Sequence, residues 1–293
     1  MKEIKVLNKG KVVLLNHMGD DQSIANSARI SYSKGTKKVS NDSGLIRYLM
    51  RNWHTTPFEM VELQFYIKAP IFVFRQWHRH RTWSFNEVSG RYSELPDEFY
   101  IPEENKITTQ SKYNKQGGTD NIMEDPAGLQ EQFIDEANED FSLYGSRLEK
   151  GMRKELARIN LPLSTYSEMY AKVDLHNLFH FLRLRLDSHA QYEIRVYAEA
   201  IAELIKPIVP IAYKAFEDYR LNSIQLSSLD AGGLICILDL LISSKPPEEE
   251  KLDPWLDKTI ESTADAIFSN KREKAEFLNK LQTLLPFRGI TED

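Results

Sequence analysis

Residues 61–70 constrain the fold more than any other stretch of the chain. Val61, Leu63, Phe65 and Ile67 alternate with Glu62, Gln64, Tyr66 and Lys68, and a period of two puts the two sets on opposite faces of a pleated strand. One face of that strand is therefore buried. Ala69-Pro70 breaks the strand, and a proline at the first helical position suits a helix that runs from Ile71 into the arginine-rich stretch beyond.

The surrounding sequence supplies both partners and cover for this strand. Ile4 to Leu7 and Val12 to Leu15 flank Asn8-Lys9-Gly10 and read as a hairpin. A short helix is predicted from Asp21, and another from Asn41 or Asp42, with Leu45, Leu49 and Trp53 repeating every four residues. Residues 103 to 125 are polar and aperiodic, and are expected to form an exposed insertion. The stripe Phe133, Phe141, Tyr144 and Leu148 predicts a long amphipathic helix from Pro126 to about Arg158. Leu163 to Val173 looks extended. Helical signals then run from Asp174 nearly to Pro207, with a break near Asp187-Ser188 as a new N-cap. Strands and helices are interspersed, so the fold class is α+β: a mixed or antiparallel sheet flanked by long helices.

After about Asn222 the pattern becomes a helical C-terminal appendage. It consists of an apolar run, the linker Lys245-Pro246-Pro247 with Glu248 to Glu250, and two further helices ending at Leu285. The expected organisation is one domain over residues 1–222 and an extension over 223–293. Leu234, Ile235, Leu238 and Leu241 should pack on the body or on a neighbouring subunit, since their run is far shorter than the roughly 20 residues a bilayer requires. With neither a leader pattern nor an apolar run of membrane-spanning length in this sequence, the protein is expected to be cytoplasmic. The single cysteine, Cys236, excludes an internal disulfide and is expected to be a buried, inert thiol.

The chain carries a formal charge of -5, so any anion site must arise from local clustering. Such a cluster lies between Arg75 and Arg91, where four arginines and two histidines face one acid, Glu87. The planar fork of arginine holds phosphate oxygens in pairs, and backbone amides around Ser89-Gly90 can add donors. A phosphorylated ligand is implied. Two other readings of the cluster are weaker. Trp77, Trp83 and Phe85 among basic residues could stack nucleic-acid bases, but the net negative charge argues against that. His78, His80 and Glu87 could hold a metal, but no metal-ligand spacing accompanies them.

The run Arg79-His80-Arg81-Thr82-Trp83-Ser84-Phe85-Asn86-Glu87-Val88-Ser89-Gly90-Arg91-Tyr92-Ser93 resembles the signature of flavin-dependent thymidylate synthases: Arg-His-Arg, seven residues, then Ser. Further segments are similar to that family in its own order, namely Ala28-Arg29-Ile30-Ser31, His54-Thr55-Thr56-Pro57-Phe58-Glu59, Ala157-Arg158, and Leu184-Arg185 through Asp187-Ser188-His189-Ala190-Gln191. The resemblance covers about residues 1–222.

It implies that FAD is held by Ser31, His54, Thr56, Glu59, Arg79, His80, Arg81 and Glu87. Asp174, His176 and His180 fall where the family's flavin helix has Asn-Ala-Arg and a later Asn. It implies that dUMP is held by Gln76, Arg79, Glu87, Ser89, Gly90, Arg91 and Arg158, and that Arg185 acts on the uracil ring. NADPH and 5,10-methylenetetrahydrofolate are the implied co-substrates, and a homotetramer with shared active sites is the implied assembly. No metal, nucleic acid or membrane is expected. His189 is expected to be structural, and Ser89 a phosphate ligand, not a nucleophile.

Overall fold

The structure, a computed structural model, describes residues 2–31, 42–112, 117–243 and 252–284. Its chain divides into two compact units, Met1–Asn222 and Ser223–Asp293. The first opens with β1 (Glu3–Val6) and β2 (Gly10–Met18), then α1 (Asp21–Arg29), α2 (Asp42–Arg51) and the short α3 (Thr56–Glu59). The strand β3 (Glu62–Pro70), the helix α4 (Ile71–Trp77) and the strand β4 (Ser84–Glu87) follow. Next come β5 (Thr108–Gln110), β6 (Gly118–Ile122), α5 (Pro126–Glu149), α6 (Lys154–Ala157) and β7 (Tyr166–Asp174). The unit ends with α7 (Leu175–Arg185), α8 (Tyr192–Ile205) and α9 (Pro210–Phe216), the last running into a π-turn at Glu217–Leu221.

Five strands form one sheet in the order β1-β2-β3-β7-β4, with every neighbouring pair antiparallel. The alternating strand read from sequence is β3, near the middle, and Leu63, Phe65, Ile67 and Ala69 on it are buried. They pack with Met169, Ala171 and Val173 of β7 and with apolar residues of α7 and α8 in a single core. That shared core accounts for the period of two: one face meets helices and the other does not.

Several expectations need correction. Pro70 ends β3 and caps α4, one position earlier than a first helical residue, and α4 stops at Trp77. The polar stretch after Glu103 contains a two-stranded ladder, β5 with β6. The α5 helix ends at Glu149, because Gly151 takes a left-handed turn at φ 78° that continuing helix cannot accommodate. Phe133 on it is exposed, and Ala137, Phe141 and Tyr144 form its buried face. The new helix after the Asp187-Ser188 break starts later, with Gln191 as N-cap.

The second unit comprises α10 (Ser228–Ser243), α11 (Leu252–Ile267) and α12 (Lys271–Leu284). They close around Ile237, Ile260, Ala264, Phe268, Phe277 and Leu281, with Leu234 packed at the margin. Gly233 lets α10 meet Phe277, since a Cβ there would lie 2.8 Å from the ring. Cys236 is exposed, not buried, and Ile235 and Leu238 are exposed with it; the helix is apolar on nearly every side, and only some sides reach the unit's core. The side chain of Leu241 and the linker Lys245-Pro246-Pro247 lie outside the described residues. Among the described residues no helix is long and apolar enough to cross a membrane.

Candidate active site

The arginine-rich loop is fixed by what it buries. Trp77, His80 and Trp83, spaced by three, point inward, while Arg79 and Arg81 are exposed. All three inward rings pack on Phe181 of α7, with centroids 4.8 Å, 4.9 Å and 5.3 Å away respectively. Phe181 and Arg185 stand four apart on α7 and share a face. The ring that anchors the loop thus also brings Arg185 to it.

Arg185 Nε donates to His80 Nε2 at 3.1 Å, and a second guanidinium nitrogen donates to the Gln76 carbonyl at 3.4 Å. Because Nε2 accepts, the imidazole proton sits on Nδ1. Burial, then the charge of Arg185, then His180 push the His80 pKa down to about 4. His80 is a neutral acceptor at ordinary pH. Burial also lowers the pKa of Arg185, which remains a cation that has given up part of its hydration. The Gln76 side chain donates to Gln191 at the start of α8.

Four of the predicted nucleotide residues, Ser89, Gly90, Arg91 and Arg158, form a second cluster. Ser89 Oγ accepts from the Arg91 amide at 3.3 Å, and the Tyr92 and Ser93 amides donate to the Ser89 carbonyl, closing a tight turn. Gly90 is buried under Arg158, whose Cδ and Nη1 lie 2.8 Å and 2.9 Å from where a Cβ would stand. Only glycine permits that approach. Glu155 binds Arg91 at 3.0 Å and Arg153 at 3.3 Å. Glu87, on the edge strand β4, accepts from the buried Ser167 hydroxyl at 2.7 Å.

His54, His176 and His180 line a third feature, a cavity they share with Trp53, Arg183 and Arg220. Burial, Arg183 and His176 all lower the His180 pKa. Asp174 is engaged as the N-cap of α7: one oxygen accepts from the Asn177 amide at 2.9 Å and the other from the Asn177 side chain at 2.6 Å. Ser31, Thr56 and Glu59 are exposed, as are Arg79 and Arg81, and no side chain of these five makes a hydrogen bond or ion pair among the described residues. His189 is tied to Asp187 by its amide at 2.8 Å and its ring at 2.9 Å. His78 packs against Phe74 and Phe85, apart from the Glu87 contact, so those residues do not converge as metal ligands. Arg183 and Arg220 escaped sequence reasoning because neither belongs to a motif; only the fold brings them to one cavity.

The first unit thus carries exposed arginines at 79 and 81, a glycine turn under Arg158 and a cavity lined by Arg183 and Arg220. Comparison with known proteins sharpens this. The family model described as "Thymidylate synthase complementing protein" matches residues 13–211. A flavin-dependent thymidylate synthase of Ruegeria pomeroyi is 53% identical over 228 residues, 76% of each chain. One of Dictyostelium discoideum is 51% identical over 238 residues, 78% of each chain. Among solved structures, a UMP/dUMP methylase of Streptomyces cacaoi bound with 5-Br dUMP is similar with a TM-score of 0.67 and 33% identity, over 75% of this chain and 100% of that one. The chain belongs to the flavin-dependent thymidylate synthase family and is an enzyme of the methyltransferase type.

Proposed function

We propose that the enzyme methylates dUMP to dTMP, taking the carbon from 5,10-methylenetetrahydrofolate and the hydride from FAD reduced by NADPH, without a cysteine nucleophile. The observation that carries the reading is the partly desolvated Arg185, held by His80 beside the exposed Arg79 and Arg81. Uracil C5 becomes nucleophilic only with carbanion character. The first unit contains no cysteine to create it by addition, and the family resemblance implies instead that a fixed cation, Arg185, stabilises an ionised uracil. The role of Arg185 is therefore catalytic. His80, by accepting from Nε, fixes the orientation of the guanidinium and leaves its charge unneutralised.

Arg91, Arg158, Gln76 and the Ser89-Gly90 turn would hold the nucleotide's phosphate and sugar. Arg91 can exchange its Glu155 partner for a phosphate dianion, which offers more charge and more acceptor oxygens. The residues assigned to the proposed flavin fit an anionic cofactor: Arg79 and Arg81 carry no partner among the described residues, and Ser31, His54, Thr56, Glu59, His176 and His180 would add polar contacts. Asp174 would serve by capping α7, which orients both helix histidines. When bound, the reduced flavin supplies the hydride that completes the methyl group.

A homotetramer with shared sites is part of the proposal. Ile30, Tyr92 and Ile159 are large apolar residues exposed to solvent in the single chain. They stand next to Ser31, Arg91 and Arg158, so subunit contacts there would complete the site. The test is to load purified protein with FAD, reduce it with NADPH without oxygen, and add dUMP with methylenetetrahydrofolate. Flavin reoxidation with formation of dTMP is expected; absence of flavin uptake, or of dTMP, defeats the reading.

A further inference from the structure

The end of α2 is built against ordinary preference. The His54 amide donates to the Leu49 carbonyl at 3.0 Å and the Trp53 amide to the Met50 carbonyl at 3.5 Å, the paired bonds of a Schellman helix stop. That stop needs a left-handed residue where Trp53 stands, usually glycine, and Trp53 takes φ 61°. A bulky side chain there is strained, and strain retained at one position points to a use for the side chain. The indole is not serving the core, since it is 58% exposed.

Its surroundings indicate the use. The Arg220 guanidinium lies over one indole face, with Cζ 3.1 Å from the ring centroid, and also donates to the Met50 carbonyl. Trp53 and Arg220 line the cavity with Arg183, His54, His176 and His180, and no acidic residue is among the lining residues described. The Arg220 pKa is lowered by burial and then by the charge of Arg183. Arg183 has no ion-pair partner among the described residues. Positive charge is thus gathered around a flat aromatic surface, the arrangement that accepts a planar heteroaromatic ring carrying phosphate.

We infer that Trp53, Arg183 and Arg220 form a subsite for an adenosine diphosphate group, the half that FAD and NADPH have in common. Trp53 would stack on the purine, backed by Arg220, and Arg183 would face the phosphates. This rests on the cofactor reading above and adds residues outside the family signature.

The test is Trp53→Gly, with Arg183→Gln alongside, measured by thermal unfolding and by titration with FAD, with FMN, which lacks the adenylate, and with NADPH. Glycine suits the helix stop, so the melting temperature of Trp53→Gly should hold or rise. FAD affinity should fall about tenfold in each variant with FMN affinity unchanged. A fall confined to NADPH would assign the same subsite to the nicotinamide dinucleotide. Equal losses for FAD and FMN, no loss for either dinucleotide, or a clear drop in melting temperature for Trp53→Gly overturns the proposal. Wild-type protein that takes up neither flavin defeats the function reading itself, a result distinct from all of these.

Discussion

Arg185 and His80 meet through a single 3.1 Å hydrogen bond in which a buried, neutral imidazole accepts from a guanidinium. The relationship runs one way. A protonated His80 has no lone pair for Arg185 and would place two cations in contact.

This gives a pH signature. The ordinary histidine value of 6.5 applies to the unfolded chain and about 4 to the folded one. Between those values the unfolded state binds a proton that the native state refuses. Stability is therefore full above pH 6.5, falls as pH drops through the window, and levels off below about 4. The loss from this group is about 3 kcal/mol. Because carboxylates titrate nearby, the measurement is a difference: urea unfolding of wild type and His80→Gln across pH 7 to about 4. Glutamine can accept from Arg185 but does not titrate, so its acid slope should be shallower. Equal slopes would show that His80 protonates without consequence.

Gly90→Ala should separate substrate binding from folding. The new Cβ would strike Arg158 at 2.8 Å and 2.9 Å, and a flexible side chain can swing away, so stability should change by no more than about 1 kcal/mol. On the proposed reading, the displaced guanidinium would be lost to the phosphate. We expect KM for dUMP to rise about tenfold, with FAD content unchanged. An unaltered KM would remove Arg158 from the nucleotide site.

Cys236 is exposed on α10, so an aromatic disulfide reagent should modify the native protein without prior unfolding. Cys236→Ala should change stability by less than about 0.5 kcal/mol, as exposed substitutions usually do, and should keep full turnover. Loss of turnover in a folded, flavin-loaded Cys236→Ala protein would restore a role for the thiol.

The misreading of Cys236 shows where sequence stops being informative. An apolar run without a polar face gives no period from which to choose the buried side, and α10 is such a run. The central strand was legible because Leu63, Phe65 and Ile67 meet helices on one face only. In α2 the apparent stripe Leu45, Leu49, Trp53 gave way to Ile46, Leu49 and Met50, since the chain reverses hand at Trp53 and takes it off the helix. The β5 and β6 ladder has almost no buried residue, and without burial a strand has no apolar alternation to detect. The site's loop was legible as a motif, but the direction of its residues was not. That His80 turns inward while Arg79 and Arg81 turn outward depends on Phe181, a hundred residues later in the chain.

Arg185 provides the most decisive test. Burial lowers its pKa, so a charge that forms beside it interacts more strongly than it would in water. An interaction made only as that charge develops lowers the chemical rate, whereas one made equally in the ground state mainly raises KM. Lysine keeps the charge but loses the planar fork, and with it the bonds to both His80 and Gln76 at their present geometry. Arg185→Lys should therefore retain FAD and be reduced by NADPH at the normal rate. Its flavin should reoxidise with dUMP and methylenetetrahydrofolate about 10²-fold more slowly, the scale of removing one preorganised electrostatic contact. Single-turnover absorbance at saturating dUMP measures this directly. If raising dUMP restores the wild-type rate, Arg185 only binds the nucleotide, and the activation of uracil must be sought among Arg79, Arg81 and the exposed groups around them.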